Sequence, residues 1–90
     1  MNLTQIEYFI RICESGSITK AADRLFITQS ALSQQLSHLE QELGIPLFIR
    51  NGNRIALTEA GKVFLSRARN MLLEYHNSIS EMKIANESNE

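Results

Sequence analysis

The sequence predicts a mainly α fold, in which three short helices and a β-hairpin precede one long helix, and three observations carry that prediction. Apolar residues recur at helical spacing in four separate stretches. Gly16, Gly44 and Pro46 punctuate the chain where those stretches end. Two short apolar-rich runs, Leu47-Phe48-Ile49-Arg50 and Arg54-Ile55-Ala56-Leu57, flank Asn51-Gly52-Asn53. Gly and Asn tolerate positive φ, so this segment reads as a small hairpin with a tight turn.

Leu3, Ile6, Phe9, Ile10 and Cys13 give the first helix its apolar stripe, and Thr4 with Glu7 fits a capping box. Glu14-Ser15-Gly16-Ser17 ends it. Ser17 suits the N-cap of a second helix, Ile18 to Phe26, burying Ile18, Ala21, Ala22 and Leu25. Thr28 suits the N-cap of a third, which runs to about Leu43, where Gly44 supplies a stop signal and Pro46 prevents continuation. Thr58 caps the last helix, and Glu59 complements the positive end of its dipole.

The third helix separates into two faces. At about 100° per residue, Leu32, Leu36, Leu39 and Leu43 fall within a stripe roughly 60° wide. Ser30, Gln34, Ser37 and Gln41 lie opposite, with Gln29 and Ser33 on one flank. That polar face holds amides and hydroxyls and no Lys or Arg, whereas Lys and Glu are the commoner filling of a merely solvated helix.

The fourth helix is expected from Glu59 to about Asn86, followed by a polar tail over residues 87–90. Gly61, Leu65, Ala68, Leu72, Tyr75, Ile79, Met82 and Asn86 alternate at spacings of four and three, an a/d seam flanked by Phe64 and Met71. A helix this long exceeds what the small domain before it can cover, so a second copy is its expected partner. Leu65, Ala68, Leu72, Tyr75, Ile79 and Met82 are the expected homodimer interface. The second and third helices with the following hairpin have the order of a winged helix-turn-helix over residues 1–58. Ala22, Ile27, Leu32 and Leu36 fit that motif's packing positions, and Phe26 stands at a turn position where glycine is common.

Composition narrows the function classes. Ninety residues suit one small domain, with 43% hydrophobic and 21% charged residues. No run approaches the ~20 apolar residues of a membrane span. The N-terminus carries no export signal, so a cytoplasmic location is expected. One cysteine, Cys13, excludes an internal disulfide and a cysteine-cluster zinc site, and its phase on the first helix indicates core packing. His38 and His76 stand without partners at metal spacing. No phosphate loop, nucleophile elbow or paired carboxylate appears, so neither enzyme activity nor a cofactor is expected.

The net charge of −1 conceals an asymmetry. From Ile45 to Leu73, the five cations Arg50, Arg54, Lys62, Arg67 and Arg69 face only Glu59, a local excess of +4. Such a basic middle is the electrostatic footprint of a nucleic-acid partner. Gln29 and Gln34 can each present a donor and an acceptor to a base edge, while Thr28, Ser30 and Ser33 suit phosphate oxygens.

A longer pattern runs through the same residues. It comprises Leu3, Phe9, Gly16-Ser17, Thr19, Ala21-Ala22, Leu25, Thr28-Gln29, Ala31, Ser33 and Gln35. It continues with Leu39-Glu40, Leu43-Gly44, Pro46-Leu47-Phe48, Arg50, Arg54, Leu57-Thr58 and Ala60-Gly61. In this run the sequence resembles the LysR-type family of bacterial transcriptional regulators. The resemblance implies a winged helix-turn-helix that places its third helix, about residues 29–43, in the major groove. It also implies a wing near the minor groove and a homodimer formed through an antiparallel pair of linker helices, on an interrupted palindrome in double-stranded DNA. Thr28, Gln29, Ser30, Ser33 and Gln34 lie where family members touch DNA, and Arg50 and Arg54 match basic wing positions with a minor-groove or phosphate role. Family members often carry Pro at the position of Ser30, Arg at that of Gln34 and a basic residue at that of Asn53. Full regulators of this type carry a larger C-terminal domain that binds a small-molecule effector and is not among these ninety residues. The chain is therefore expected to be a shortened form or a protein that only binds DNA.

Other readings stay open at this level. The Gln/Ser face can be ordinary solvated surface, and Arg50 and Arg54 have Glu40, Glu42 and Glu59 as alternative ion-pair partners. A protein-interaction module whose long helix recruits another coiled coil is the competing function class, against which the third helix and the arginine-bearing wing argue. A self-contained winged-helix DNA binder is a third.

Overall fold

The computed structural model describes residues 1–52 and 54–88. Its elements are α1 (Leu3–Ser15), α2 (Ile18–Leu25), α3 (Gln29–Leu43), β1 (Phe48–Asn51), β2 (Arg54–Leu57) and α4 (Glu59–Ser88). The predicted order is the observed order, and the departures lie in caps, a turn and the use of the last helix.

α1 starts with a different capping box from the expected Thr4–Glu7 pair. Asn2 Oδ1 accepts from the Gln5 N–H at 2.8 Å, and Gln5 Oε1 accepts from the Asn2 N–H at 3.1 Å. Asn caps at least as well as Thr, and the reciprocal bond satisfies the buried Gln5 amide oxygen. Glu7 lies 3.6 Å from Arg11 in an exposed i,i+4 pair. The helix ends at Gly16, whose φ of 69° lets its N–H bond back to the Ile12 carbonyl at 2.9 Å.

α1 packs against all three other helices. Phe9, 1% exposed, places its ring 5.2 Å from that of Phe48 and 4.7 Å from that of Phe64, which joins α1 to the root of the hairpin and to α4. Ile12, Leu32, Leu39 and Leu47 complete the most deeply buried set. Of the expected α1 stripe, Leu3 is exposed and Cys13 half-buried, while the unpredicted Ile12 is fully enclosed.

α2 stops at Leu25, one residue earlier than expected. Phe26 adopts a left-handed conformation (φ 57°, ψ 39°), its N–H bonds to the Asp23 carbonyl, and the Ile27 N–H bonds to Ala22. Phe26 thus occupies the backbone conformation that a glycine usually supplies at a helix end, with its ring 95% exposed.

The hairpin pairs Phe48 with Leu57, Ile49 with Ala56, Arg50 with Ile55 and Asn51 with Arg54. Asn51 therefore belongs to β1, and the connection is Gly52 (φ 63°) with Asn53, which lies outside the described residues. The pairing of Asn51 with Arg54, rather than of Arg50 with Arg54, has consequences for the two arginines.

α4 rises for about 45 Å over its 30 residues, consistent with a longest molecular dimension of 56 Å. It continues through Glu87 and Ser88, two residues past the expected end; Asn89 and Glu90 lie outside the described residues. The seam is divided in use. Gly61 and Ala68 are buried within the chain, and Leu65, Leu72, Phe64 and Met71 pack against its core. Ala68, expected in the dimer interface, is 0% exposed in the single chain, where it packs within the core. Tyr75 and Met82 are exposed and Ile79 half-exposed, beyond the reach of α1.

Candidate nucleic-acid interface

The amphipathic split of α3 fixes what it presents. Leu32, Leu36 and Leu39 are buried, so Gln29, Ser30 and Gln34 project outward and Ser33 sits at the margin, half-buried. Thr28 holds the start of the helix: its Oγ1 accepts from the Ala31 N–H at 3.0 Å. The hydroxyl proton remains to be donated outward, as contact with a phosphate requires. Neither Lys nor Arg lies on α3.

The hairpin is anchored to α3 and α4 at its root. Glu40, on α3, accepts from the Leu47 N–H at 2.7 Å and from the Phe48 N–H at 3.4 Å. The Thr58 hydroxyl donates to the Pro46 carbonyl at 2.8 Å and accepts from the Gly61 N–H at 2.9 Å, so it caps α4 and fastens the segment before β1 together. The Thr58 N–H also bonds to the Leu47 carbonyl at 3.0 Å. These bonds set the hairpin beside the first turn of α3.

A cleft of about 140 Å³ results, lined by Ile18, Thr19, Gln29, Ser33, Arg50, Gly52 and Ile55. Three of the predicted site residues, Gln29, Ser33 and Arg50, meet there. Thr28, Ser30 and Gln34 lie on the open face of α3 outside it, and Arg54 lies elsewhere on the hairpin. Thr19, not singled out in the sequence analysis as a candidate, also lines this cleft. It stands in the family-like run, two residues after the Ser17 cap of α2.

The acids nearest in sequence to the wing are engaged elsewhere. Glu42 pairs with the Met1 amino group, Glu59 with Lys62 at 3.1 Å, and Glu40 with the backbone of β1. Among the described residues, neither Arg50 nor Arg54 forms an ion pair. The remaining cations of the basic stretch are exposed but spread around α4. Lys62 and Arg69 lie about 20° apart in projection, and Arg67 about 160° from Arg69.

Other chemistry is sparse. Cys13 is a free thiol whose pKa burial pushes up to about 11, against a downward pull from Arg69. Both histidines are exposed. Among the described residues, no group of His, Cys, Asp and Glu is arranged to hold a metal ion, and no helix is long and apolar enough to cross a membrane.

The arrangement is shared with known proteins. A family profile described as bacterial regulatory helix-turn-helix protein, lysR family, matches residues 3–62. Relatives include the uncharacterized HTH-type transcriptional regulator YybE of Bacillus subtilis, 42% identical over 83 residues that make up 92% of this chain and 28% of YybE. The nitrogen assimilation regulatory protein nac of Klebsiella aerogenes is 46% identical over 72 residues, 80% of this chain and 24% of nac. The chain thus spans less than a third of these relatives' length. Among solved structures, the CbnR_DBD–DNA complex superposes with a TM-score of 0.91 at 36% identity, covering 94% of this chain and 98% of that one. The BenM_DBD/catB site 1 DNA complex gives 0.90 at 38% identity, covering 94% and 96%. With the helix-turn-helix, hairpin and long helix all accounted for, the chain belongs to the LysR family of bacterial regulatory helix-turn-helix proteins.

Proposed function

We propose that the chain is the sequence-specific DNA-binding part of a LysR-type bacterial transcription regulator, working as a homodimer on double-stranded DNA in the cytoplasm. One observation carries the reading: the exposed amide and hydroxyl face at the start of α3 stands beside a hairpin whose two arginines have no acid partner among the described residues. Other cations are also without an acid partner among the described residues, so what singles these two out is their place beside the α3 face. A polyanion supplies the missing charge. That CbnR and BenM DNA-binding domains of closely similar fold are known in complexes with DNA supports the same reading.

In this reading α3 enters the major groove, where Gln29 and Gln34 address base edges and Thr28, Ser30 and Ser33 serve the backbone around them. The hairpin follows the flanking minor groove, and Lys62 and Arg69 add salt-sensitive attachment. The dimer forms through the distal part of α4, with Tyr75, Ile79 and Met82 at its centre and the half-buried Leu65 and Leu72 at its edge. Two copies joined this way present two α3 helices to an interrupted palindrome. In a full-length regulator, a small-molecule effector binds a further C-terminal domain.

Selection of bound fragments from a genomic library, followed by gel shifts, tests the proposal. Enrichment of fragments that share a palindromic element, with binding that weakens steeply as salt rises, is the expected result. Equal retention of all fragments, or a flat salt response, contradicts it.

A further inference from the structure

The heptad seam of α4 fixes which side chains flank it. The positions just after Gly61, Ala68, Tyr75 and Met82 are Lys62, Arg69, His76 and Lys83, so one flank carries a basic side chain in every heptad. The flank across the seam is Phe64, Met71, Ser78 and Ala85, without a charge. The basic row drifts by only about 20° per heptad and runs for about 31 Å along the helix. All four members are exposed. Lys62 pairs with Glu59 at 3.1 Å, and among the described residues Arg69, His76 and Lys83 form no ion pair. Glu74 and Glu81 lie roughly 140–160° round the helix from their neighbours in the row, so the signs are segregated rather than mixed. Arg69 also lines a small cavity with Ile55, Ala56 and Leu57 of β2, which places the start of the row beside the hairpin.

Pairing of two chains changes what this row does. Gly61 and Ala68 are held in the chain's own core, so two α4 helices pair over their distal halves, and the antiparallel direction keeps the two domains at opposite ends. In that arrangement like flanks face each other, and a register centred on Ile79 sets His76 opposite the partner's Lys83. Two basic rows then lie side by side along one edge of the pair. They repel in isolation, and an anion laid along them removes the repulsion.

We infer that this doubled row on α4 is a further contact strip for the DNA backbone, so that duplex binding and α4 pairing promote one another. The inference rests on the reading of the chain as a DNA-binding homodimer and adds a surface and a linkage to it. A duplex backbone is an extended polyanion, and it matches a row of cations about 10 Å apart that continues from the hairpin along α4. Reciprocity follows: whatever the duplex adds to pairing, pairing adds to duplex affinity.

Analytical ultracentrifugation of the whole ninety-residue chain, with and without a duplex selected by it, tests both halves. Without duplex, the wild-type dimer should tighten as salt rises, because salt screens the facing rows. Lys83→Glu and His76→Glu should each tighten pairing several-fold at low salt, and the double variant should lose that gain, since it sets Glu opposite Glu. With duplex, Lys83→Glu should reduce the slope of log K against log salt by about one for each copy. Both side chains are exposed, and circular dichroism matching wild type establishes that folding is intact. If the single variants leave pairing unchanged or loosen it, or if Lys83→Glu keeps the wild-type salt slope on the duplex, the inference is overturned while the DNA reading stands. A wild-type chain that binds no duplex overturns both.

Discussion

Gly61 lies so close beneath the carbonyl of Leu47 that a methyl group on it would overlap the oxygen and touch the Leu57 side chain. The first turn of α4 and the strand entering the hairpin therefore meet backbone to backbone. The same carbonyl accepts from the Thr58 N–H, so the contact cannot open without losing a buried hydrogen bond. Gly61→Ala is expected to destabilise the chain by about 1–3 kcal/mol, overpacking outweighing the roughly 1 kcal/mol that alanine gains in a helix interior. The check is a thermal midpoint at fixed protein concentration, expected to fall by roughly 4–8 °C per kcal/mol.

Phe26 offers the opposite sign. Its ring is 95% exposed, so removing it sacrifices almost no packing, while its positive φ is strained for any side chain. Phe26→Gly should raise stability by about 0.5–1 kcal/mol, and Phe26→Ala should not match it. Denaturation curves of the two variants decide the point.

Gln29→Ala should cost ~1–3 kcal/mol of binding on a selected site and much less on random duplex, because a base contact carries sequence information and a phosphate contact does not. Titration against both duplexes at one salt concentration makes the comparison. Equal losses would assign Gln29 to the DNA backbone, alongside its neighbours in the cleft.

Cys13 predicts a pH effect with a definite direction. Burial raises its pKa from 9.0 to about 11, so between those values the folded chain keeps the thiol proton that the unfolded chain releases. The unfolded state binds fewer protons there, and stability falls as pH climbs through that window. Cys13→Ala should show a shallower decline from pH 9 to 11 than wild type in parallel denaturation series, together with a general loss of packing at all pH values. Identical slopes would show that the thiol contributes nothing.

What was legible in the sequence was local. Ser17, Thr28 and Gly44 mark helix ends by interactions within a few residues, and all three act as their types suggest. The α1 cap was misplaced because Asn2–Gln5 and Thr4–Glu7 satisfy one spacing rule, and only tertiary burial of Gln5 chooses between them. Periodicity gave the apolar face of α4 correctly but not its occupant, since one stripe serves the chain's own core at Ala68 and leaves Tyr75 and Met82 uncovered. For the wing, one residue of turn length decided the outcome. A three-residue loop over Asn51–Asn53 would pair Arg50 with Arg54 on one face; the observed pairing of Asn51 with Arg54 sets the two arginines back to back.

The central claim is that two α3 helices, spaced by paired α4 helices, read the same duplex. A hydroxyl-radical footprint on a selected fragment measures it most directly. The account predicts two protected patches related by a dyad, their centres one helical turn of about 10 bp or a whole multiple of it apart. A single protected patch, or uniform protection without preferred position, would contradict it.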